Sequence, residues 1–246
     1  MLHVFEKVSY NDNGGTLRAV VVCHNPQVNR MKELKVKKVS AANILVESVP
    51  ALLDKEKVAF QPVNMVNWSA FPYCPDVEFR IAYTRDAILL HFKVREKSVR
   101  AVAGHDNGSV WEDACVEFFS IPADDGVYYN VECNCVGTLL VGAGAGRENR
   151  RHAPQEVMDK VQRWSSLGRK GFEERVGECS WEVALVIPYT TFFLHHITSP
   201  DGKNIRANFY KCGDKLCTPH FLSWNPIEVE NPDFHRPDFF GVLKME

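Results

Sequence analysis

A carboxylate interrupts an apolar row in residues 115–121. If this segment is a strand, Glu117 shares one face with Cys115, Phe119 and Ile121, because side chains alternate between the two faces. A buried carboxylate needs a hydrogen-bond partner, a positive charge or a ligand. Glu117 is therefore a candidate for binding or catalysis.

Two further segments place polar side chains in rows where strands are expected. Residues 127–135 project Asn130, Glu132 and Asn134 from one face. Residues 205–211 project a second row from one face: Arg206, Asn208 and Tyr210. Such rows are common on solvent-facing sheet surfaces, but here amides and carboxylates are mixed, which favours a hydrogen-bonding site.

Aromatic side chains flank these rows in polar loops. Trp111 stands just before the Glu117 segment, and Phe234 lies in the proline-rich loop 231–237. A pyranose ring stacks its C–H faces on an aromatic ring, while its hydroxyls form directional hydrogen bonds with amides and carboxylates. The residue types therefore suit a sugar ligand.

The elements that must position these residues are mostly strands. Apolar residues alternate in residues 87–94, and turn-forming residues separate the runs. Further runs of this kind cover residues 77–83, 115–121, 127–135, 181–187, 205–211 and 220–224. Many short strands with frequent turns predict an all-β fold, an antiparallel β-sandwich of the jelly-roll or immunoglobulin-like type.

One or two short helices are expected beside these strands. The spacing of five apolar residues after Pro154 predicts a helix that carries Val157, Met158, Val161, Trp164 and Leu167. Residues 188–196 predict a short helical turn.

Composition excludes several classes of protein. The 246 residues carry 29 basic and 31 acidic side chains, a net charge of -2. This near-zero net charge gives no positive electrostatic field that would attract nucleic acid or an anionic membrane. Residues 106–134 nevertheless contain seven acidic side chains and no Lys or Arg. We expect a near-neutral ligand beside this acidic stretch.

The length suits one sandwich domain, which we place at residues 31–246. Residues 1–30 are interpreted as an extension, because the segment that opens at Met31 would serve equally well as a start. No run approaches the roughly 18 apolar residues of a membrane span, and no secretory signal is evident. We therefore expect a cytoplasmic protein.

Metal and haem sites are weaker alternatives. Cys212, Cys217 and His220 form a Cys-x4-Cys-x2-His cluster that could belong to a zinc site, although such sites usually have four ligands and a tighter spacing. Most of the eight cysteines are expected to be buried thiols. A haem-binding sandwich would need an axial ligand, for which His91 and His220 are the strand candidates.

Four segments together resemble family 9 carbohydrate-binding modules, the β-sandwich domains attached to some xylanases, and their stand-alone bacterial relatives. The segments are residues 110–119 (VWEDACVEFF), 128–134 (YYNVECN), 223–226 (SWNP) and 237–243 (PDFFGVL). The resemblance extends from about residue 31 to the C-terminus. It implies that two aromatic rings clamp a terminal sugar.

Carried over by position, the resemblance implies that the two rings are Trp111 and Phe234. It implies polar contacts from Glu117 and Asn231. Two strand positions stay open between neighbours: Glu132 or Asn130, and Tyr210 or Lys211. The resemblance also implies structural calcium, for which the acidic loops 106–113 and 123–125 are candidates.

Three functions follow from these observations. The first is non-catalytic binding of the end of a xylo- or gluco-saccharide, beside a glycoside hydrolase that acts on the same polysaccharide. The second is an endoxylanase-like glycoside hydrolase with Glu117 and Glu132 as its two carboxylates. The third is the haem-binding sandwich.

Overall fold

Alternating apolar side chains form two β-sheets that face each other. The computed structural model describes residues 31–41 and 43–246. All seven runs that the sequence predicts as strands form strands, which confirms the all-β fold class. The predicted extension, residues 1–30, lies outside the described residues.

In the described residues, the strands are β1 (Glu33–Lys38), β2 (Gln61–Pro62), β3 (Met65–Val66), β4 (Asp76–Tyr83), β5 (Ala87–Ala101), β6 (Cys115–Ile121), β7 (Tyr128–Asn134), β8 (Leu139–Gly144), β9 (Arg151–His152), β10 (Gln162–Ser165), β11 (Phe172–Pro188), β12 (Asn204–Cys212), β13 (Phe221–Ser223) and β14 (Gly241–Met245). The helices are α1 (Val49–Lys55) and α2 (Gln155–Met158).

The front sheet has the order β14-β12-β6-β7-β8-β9, with β13 beside β12 and β3 beside β13. The back sheet has the order β10-β11-β5-β4, with β2 beside β4. Strand β1 joins the two sheets, because its first half pairs with β14 and its last two residues pair with β4. Both of these pairings are parallel, so the sandwich is mixed rather than wholly antiparallel as predicted.

The core fills the space between the sheets. Phe79 of β4 stacks on Phe209 of β12 with ring centroids 3.6 Å apart. On β6, Val116 and Phe118 belong to the same buried cluster, so the residues between them point away from this core. The predicted alternation on β6 is therefore confirmed, and the outer face of the front sheet carries Glu117.

The helices differ in part from the prediction. Helix α2 ends at Met158, and Trp164 lies in strand β10, where it pairs with Ala184 of β11. Pairing with β11 packs Trp164 against the buried cluster that contains Ala184 and Val186, so the prediction of a helix through Leu167 was wrong. The predicted turn after β11 is confirmed as a 3-10 turn at Tyr189–Thr191.

Residues 31–246 form one compact unit. Within the described residues, every helix is too short or too polar to cross a lipid bilayer.

Candidate functional site

A cavity of about 410 Å³ opens on the outer face of the front sheet. Strands β6, β7, β8 and β12 form its floor, and four loops, which carry Trp111, Arg147, Asp214 and Phe234, form its rim. It is lined by Trp111, Glu117, Phe119, Asn130, Glu132, Leu140, Gly142, Arg147, Glu148, Arg150, His152, Cys212, Asp214, Phe221, Pro232, Asp233, Phe234 and His235. This volume lies in the range of small-ligand sites.

Two carboxyl groups form the centre of the floor. Glu117 and Glu132 are paired in register across β6 and β7, and each is less than 5% exposed. Burial raises the pKa of Glu132 to about 7. Burial, followed by the charge of Glu132, raises the pKa of Glu117 well above its ordinary value. The floor can therefore hold protons near neutral pH and exchange hydrogen bonds with a ligand.

A hydrogen-bonded group fixes the position of Glu132. The Asn130 amide nitrogen donates to Glu132 Oε1 over 2.8 Å, and Arg150 Nη2 donates to Asn130 Oδ1 over 2.7 Å. The Arg150 guanidinium also lies over the Tyr128 ring at 4.0 Å. Gly142, on the neighbouring strand β8, leaves room for the Asn130 side chain. A Cβ at this position would lie 2.6 Å from Asn130 Oδ1. Glu132 Oε2 is buried without a hydrogen-bond partner.

Trp111 forms one rim of the cavity. It lies in the 3-10 turn Val110–Glu112 and is 37% exposed, although it is a large apolar side chain. Its turn is fixed to the end of β12, since the backbone nitrogens of Asp214 and Lys215 donate to the carbonyls of Trp111 and Glu112. The indole is thus held at the opening of the cavity and is partly uncovered.

Phe234 forms another part of the rim and rests on Tyr210. The two rings are stacked with centroids 4.2 Å apart and planes 9° from parallel. Tyr210 itself is fully buried and is not among the residues that line the cavity. Since Tyr210 covers one face of Phe234, a ligand can meet only the other face or the ring edge.

The row on β12 that the sequence singled out holds the Phe234 loop in place. Asn208 exchanges two hydrogen bonds with the backbone of Asn225, at 2.8 and 3.0 Å. Arg206 Nη2 donates to the carbonyl of Pro237 over 2.7 Å. The polar side chains Arg206 and Asn208 therefore bind backbone near both ends of the segment that joins β13 to β14 and carries Phe234.

The structure places five predicted residues in one cavity: Trp111, Glu117, Asn130, Glu132 and Phe234. Asn231 lies exposed in the Phe234 loop and does not line the cavity. Lys211 points to the opposite side of β12, into the space between the sheets, because it alternates with Tyr210. Its Nζ lies 2.9 Å from Glu96 Oε2 and 2.7 Å from His220 Nε2, and it is fully buried.

The predicted zinc cluster is not assembled. Cys212 lines the cavity, whereas His220 Nε2 contacts Lys211 in the core and Cys217 is exposed. Cys217 lies in the loop after β12 and His220 is held by Lys211 in the core, so sequence proximity did not give spatial proximity.

The two histidines proposed as haem ligands have protein partners on both ring nitrogens. His91 contacts Arg80 Nε at 3.1 Å and Glu182 at 2.8 Å. His220 contacts the carbonyl of Thr218 at 2.9 Å as well as Lys211. Neither imidazole offers an open nitrogen to a haem iron.

The acidic loops do not fit calcium, which needs six to eight oxygen ligands. Arg163 Nη1 lies 2.7 and 2.8 Å from the two carboxylate oxygens of Asp106. Both oxygens of Asp113 accept hydrogen bonds from the backbone nitrogens of residues 102 and 103. Asp125 is paired with His195 at 2.8 Å. These carboxylates already interact with hydrogen-bond donors of the protein, which take the place that a calcium ion would need.

Several cavity residues were not predicted from the sequence. Arg147 and Arg150 enter from the loop after β8, so the cavity is not as acidic as residues 106–134 suggested. Asp214, whose pKa burial raises to about 6, enters from the loop after β12. The only feature of the sequence that pointed to Arg147 and Arg150 was the glycine-rich end of β8, which is followed by a cluster of charged residues.

Comparison with known proteins identifies the fold and the family. The model of carbohydrate-binding family 9 matches residues 47–245. The chain belongs to carbohydrate-binding family 9. The crystal structure of a protein from Bacteroides uniformis ATCC 8492, provisionally assigned to carbohydrate binding, is 59% identical with a TM-score of 0.86. The match covers 88% of this chain and 100% of the Bacteroides uniformis chain.

Two more distant structures share the family 9 sandwich. Both are of a family 9 carbohydrate-binding module from Caldicellulosiruptor kristjanssonii, one in complex with glucose and one with cellotriose. They are 10% and 11% identical with TM-scores of 0.55 and 0.51. Each match covers 87% of this chain. The matches cover 96% of the chain in the glucose complex and 94% of the chain in the cellotriose complex. None of the curated proteins compared with the chain matches it.

Proposed function

We propose that this family 9 chain is a non-catalytic carbohydrate-binding domain that holds the end of a gluco- or xylo-saccharide between Trp111 and Phe234. One observation carries the proposal. Trp111 and Phe234, from loops far apart in sequence, line the same cavity above a floor of buried carboxyl and amide groups.

Each part of the cavity matches one property of a sugar ring. The exposed indole of Trp111 offers a flat apolar surface for the C–H face of a pyranose. Glu132 Oε2, which is buried without a partner, is an acceptor for a sugar hydroxyl. Glu117 provides a second carboxyl group beside it. Removing these groups from water is offset only if the ligand supplies hydrogen bonds in return.

Calorimetry with cellotriose and xylotriose tests the proposal. We expect saturable binding at one site per chain for at least one of the two saccharides. The absence of binding of both saccharides at millimolar concentration would contradict it. A glycoside hydrolase that acts on the same polysaccharide is the partner that such a domain would serve.

Hydrolysis by the chain itself is the second candidate, and the raised pKa values of Glu117 and Glu132 favour it. The geometry is less favourable. Glycosidases place their two carboxyl groups on either side of the scissile bond. Here both rise side by side from adjacent strands of one floor. We therefore expect no release of chromophore from aryl glucosides or xylosides, and turnover that Glu117→Gln abolishes would establish the enzyme instead.

A further inference from the structure

Two thiols and a carboxylate converge below the cavity. The Sγ atoms of Cys115 and Cys212 and a carboxylate oxygen of Glu117 all lie within 4.8 Å of one another. All three side chains are buried, and Glu117 and Cys212 line the cavity. We propose that Cys115, Glu117 and Cys212 form a binding site for a thiophilic divalent metal ion, with zinc as the best match.

The strand register brings these ligands together. Cys115 and Cys212 are partners on the adjacent antiparallel strands β6 and β12. Glu117 is two residues beyond Cys115 on the same face of β6. The rigid front sheet thus fixes the backbone of every ligand, and only side-chain rotation is needed to close around an ion. Cys212 Sγ already contacts Glu117 Oε1 at 3.0 Å.

The donor set selects the metal. Thiolates favour zinc over magnesium and calcium, and zinc also accepts a carboxylate oxygen. Bonds of about 2.3 Å to sulfur would place two sulfur ligands roughly 3.7 Å apart in a tetrahedral site. The ligand atoms therefore need to move by only about 1 Å or less.

A fourth position faces the cavity, where Glu132 adds a second observation. This side chain is 4% exposed, it pairs in register with Glu117, and its Oε2 has no hydrogen-bond partner. A cation beside Glu117 would compensate the unpaired carboxyl group of Glu132. The fourth ligand can be this carboxylate or a water molecule in the cavity.

Binding must release protons. Zinc binds the thiolate form of Cys115 and Cys212 rather than the protonated thiol. Each thiolate that binds the ion gives its proton to solvent. The affinity for the metal should therefore increase with pH.

Cobalt titration of the full chain tests the site. The protein is reduced with a phosphine, freed of metal with EDTA and titrated with Co²⁺ while thiolate-to-metal charge-transfer absorption is recorded. We expect one equivalent of Co²⁺, displaced by Zn²⁺ but not by Ca²⁺. Cys115→Ser and Cys212→Ser should each weaken Co²⁺ binding at least ten-fold.

Cys133→Ser is the matched control, because Cys133 is a buried thiol on the core side of β7 and should leave Co²⁺ binding unchanged. Should a serine variant fail to fold, Glu117→Gln tests the same site and should also weaken binding at least ten-fold. No charge-transfer band at millimolar Co²⁺, displacement by Ca²⁺, or a band unchanged in the folded variants would overturn the proposal. Saccharide calorimetry in EDTA remains a separate measurement, so failure of the metal site leaves sugar binding intact.

Discussion

Glu117 and Glu132 face each other in register on neighbouring strands, with both side chains buried in one cavity. Two carboxyl groups this close cannot both ionise without cost. Burial raises the pKa of both carboxyl groups, and the charge of Glu132 raises that of Glu117 further. This pair is the chemical centre of the site, and its titration can be measured without knowing the ligand.

Glu132→Gln should change how stability depends on pH. The pKa of Glu132 rises from 4.5 to about 7 on folding, so the folded state holds this proton more tightly than the unfolded state. The free energy of unfolding contributed by Glu132 is largest below pH 4.5 and is lost as the pH rises toward 7. The full loss is at most about 3 kcal/mol.

Thermal unfolding between pH 4.5 and 8 measures this effect. The wild type should lose stability relative to Glu132→Gln as the pH rises. Glu148→Gln is the control, because Glu148 lines the same cavity but is exposed. Parallel pH profiles for the wild type and Glu132→Gln would show that Glu132 titrates normally.

Gly142→Ala should disturb the Asn130 group. The added Cβ would lie 2.6 Å from Asn130 Oδ1, which accepts from Arg150. Overpacking of this kind costs about 1–3 kcal/mol and here also displaces the amide that holds Glu132. Urea unfolding and saccharide calorimetry should both show a loss. Gly146→Ala, where a Cβ meets nothing within 4 Å, should show neither, and equal effects of the two variants would refute this role for Gly142.

Lys211→Met should destabilise the fold and spare the cavity. Lys211 and Glu96 are both fully buried with their charged atoms 2.9 Å apart. Removing one partner of a buried pair leaves the other charge unpaired, which costs about 3–5 kcal/mol. Urea unfolding checks this value.

Lys215→Met is the control for that variant, because Lys215 is 60% exposed in its pair with Glu112. It should cost no more than about 1 kcal/mol. Adding Glu96→Gln to Lys211→Met should restore part of the loss. A weakened saccharide affinity in folded Lys211→Met would contradict the placement of Lys211 away from the site.

Much of the sandwich could be predicted from alternation alone. The period of two on β6 and β7 correctly assigned Glu117, Asn130 and Glu132 to the outer face. The resemblance could not decide between Tyr210 and Lys211, because a shift of one residue in the alignment exchanges the two faces of a strand. Nor could alternation show that Arg206 and Asn208 bind loop backbone, since the partner loop lies distant in sequence.

Loops and sheet edges set the limit of prediction. Trp164 fits a helical stripe after Pro154, yet pairing with β11 makes the segment a strand. Arg150 joins the cavity because the hairpin of β8 and β9 folds back over Tyr128, and no local pattern encodes that closure. Trp111 and Phe234 were singled out as loop aromatics and by resemblance, but their shared cavity depends on tertiary contacts.

Saccharide binding by Trp111→Ala tests the central claim most directly. Trp111 lies on the cavity rim and is 37% exposed, so Trp111→Ala should still fold. Val176→Ala, at a 76% exposed apolar residue outside the cavity, is the control and should bind as the wild type does. Calorimetry with the tighter of cellotriose and xylotriose should show at least a ten-fold loss of affinity for Trp111→Ala. An affinity equal to that of the wild type, in a folded variant, would contradict the clamp.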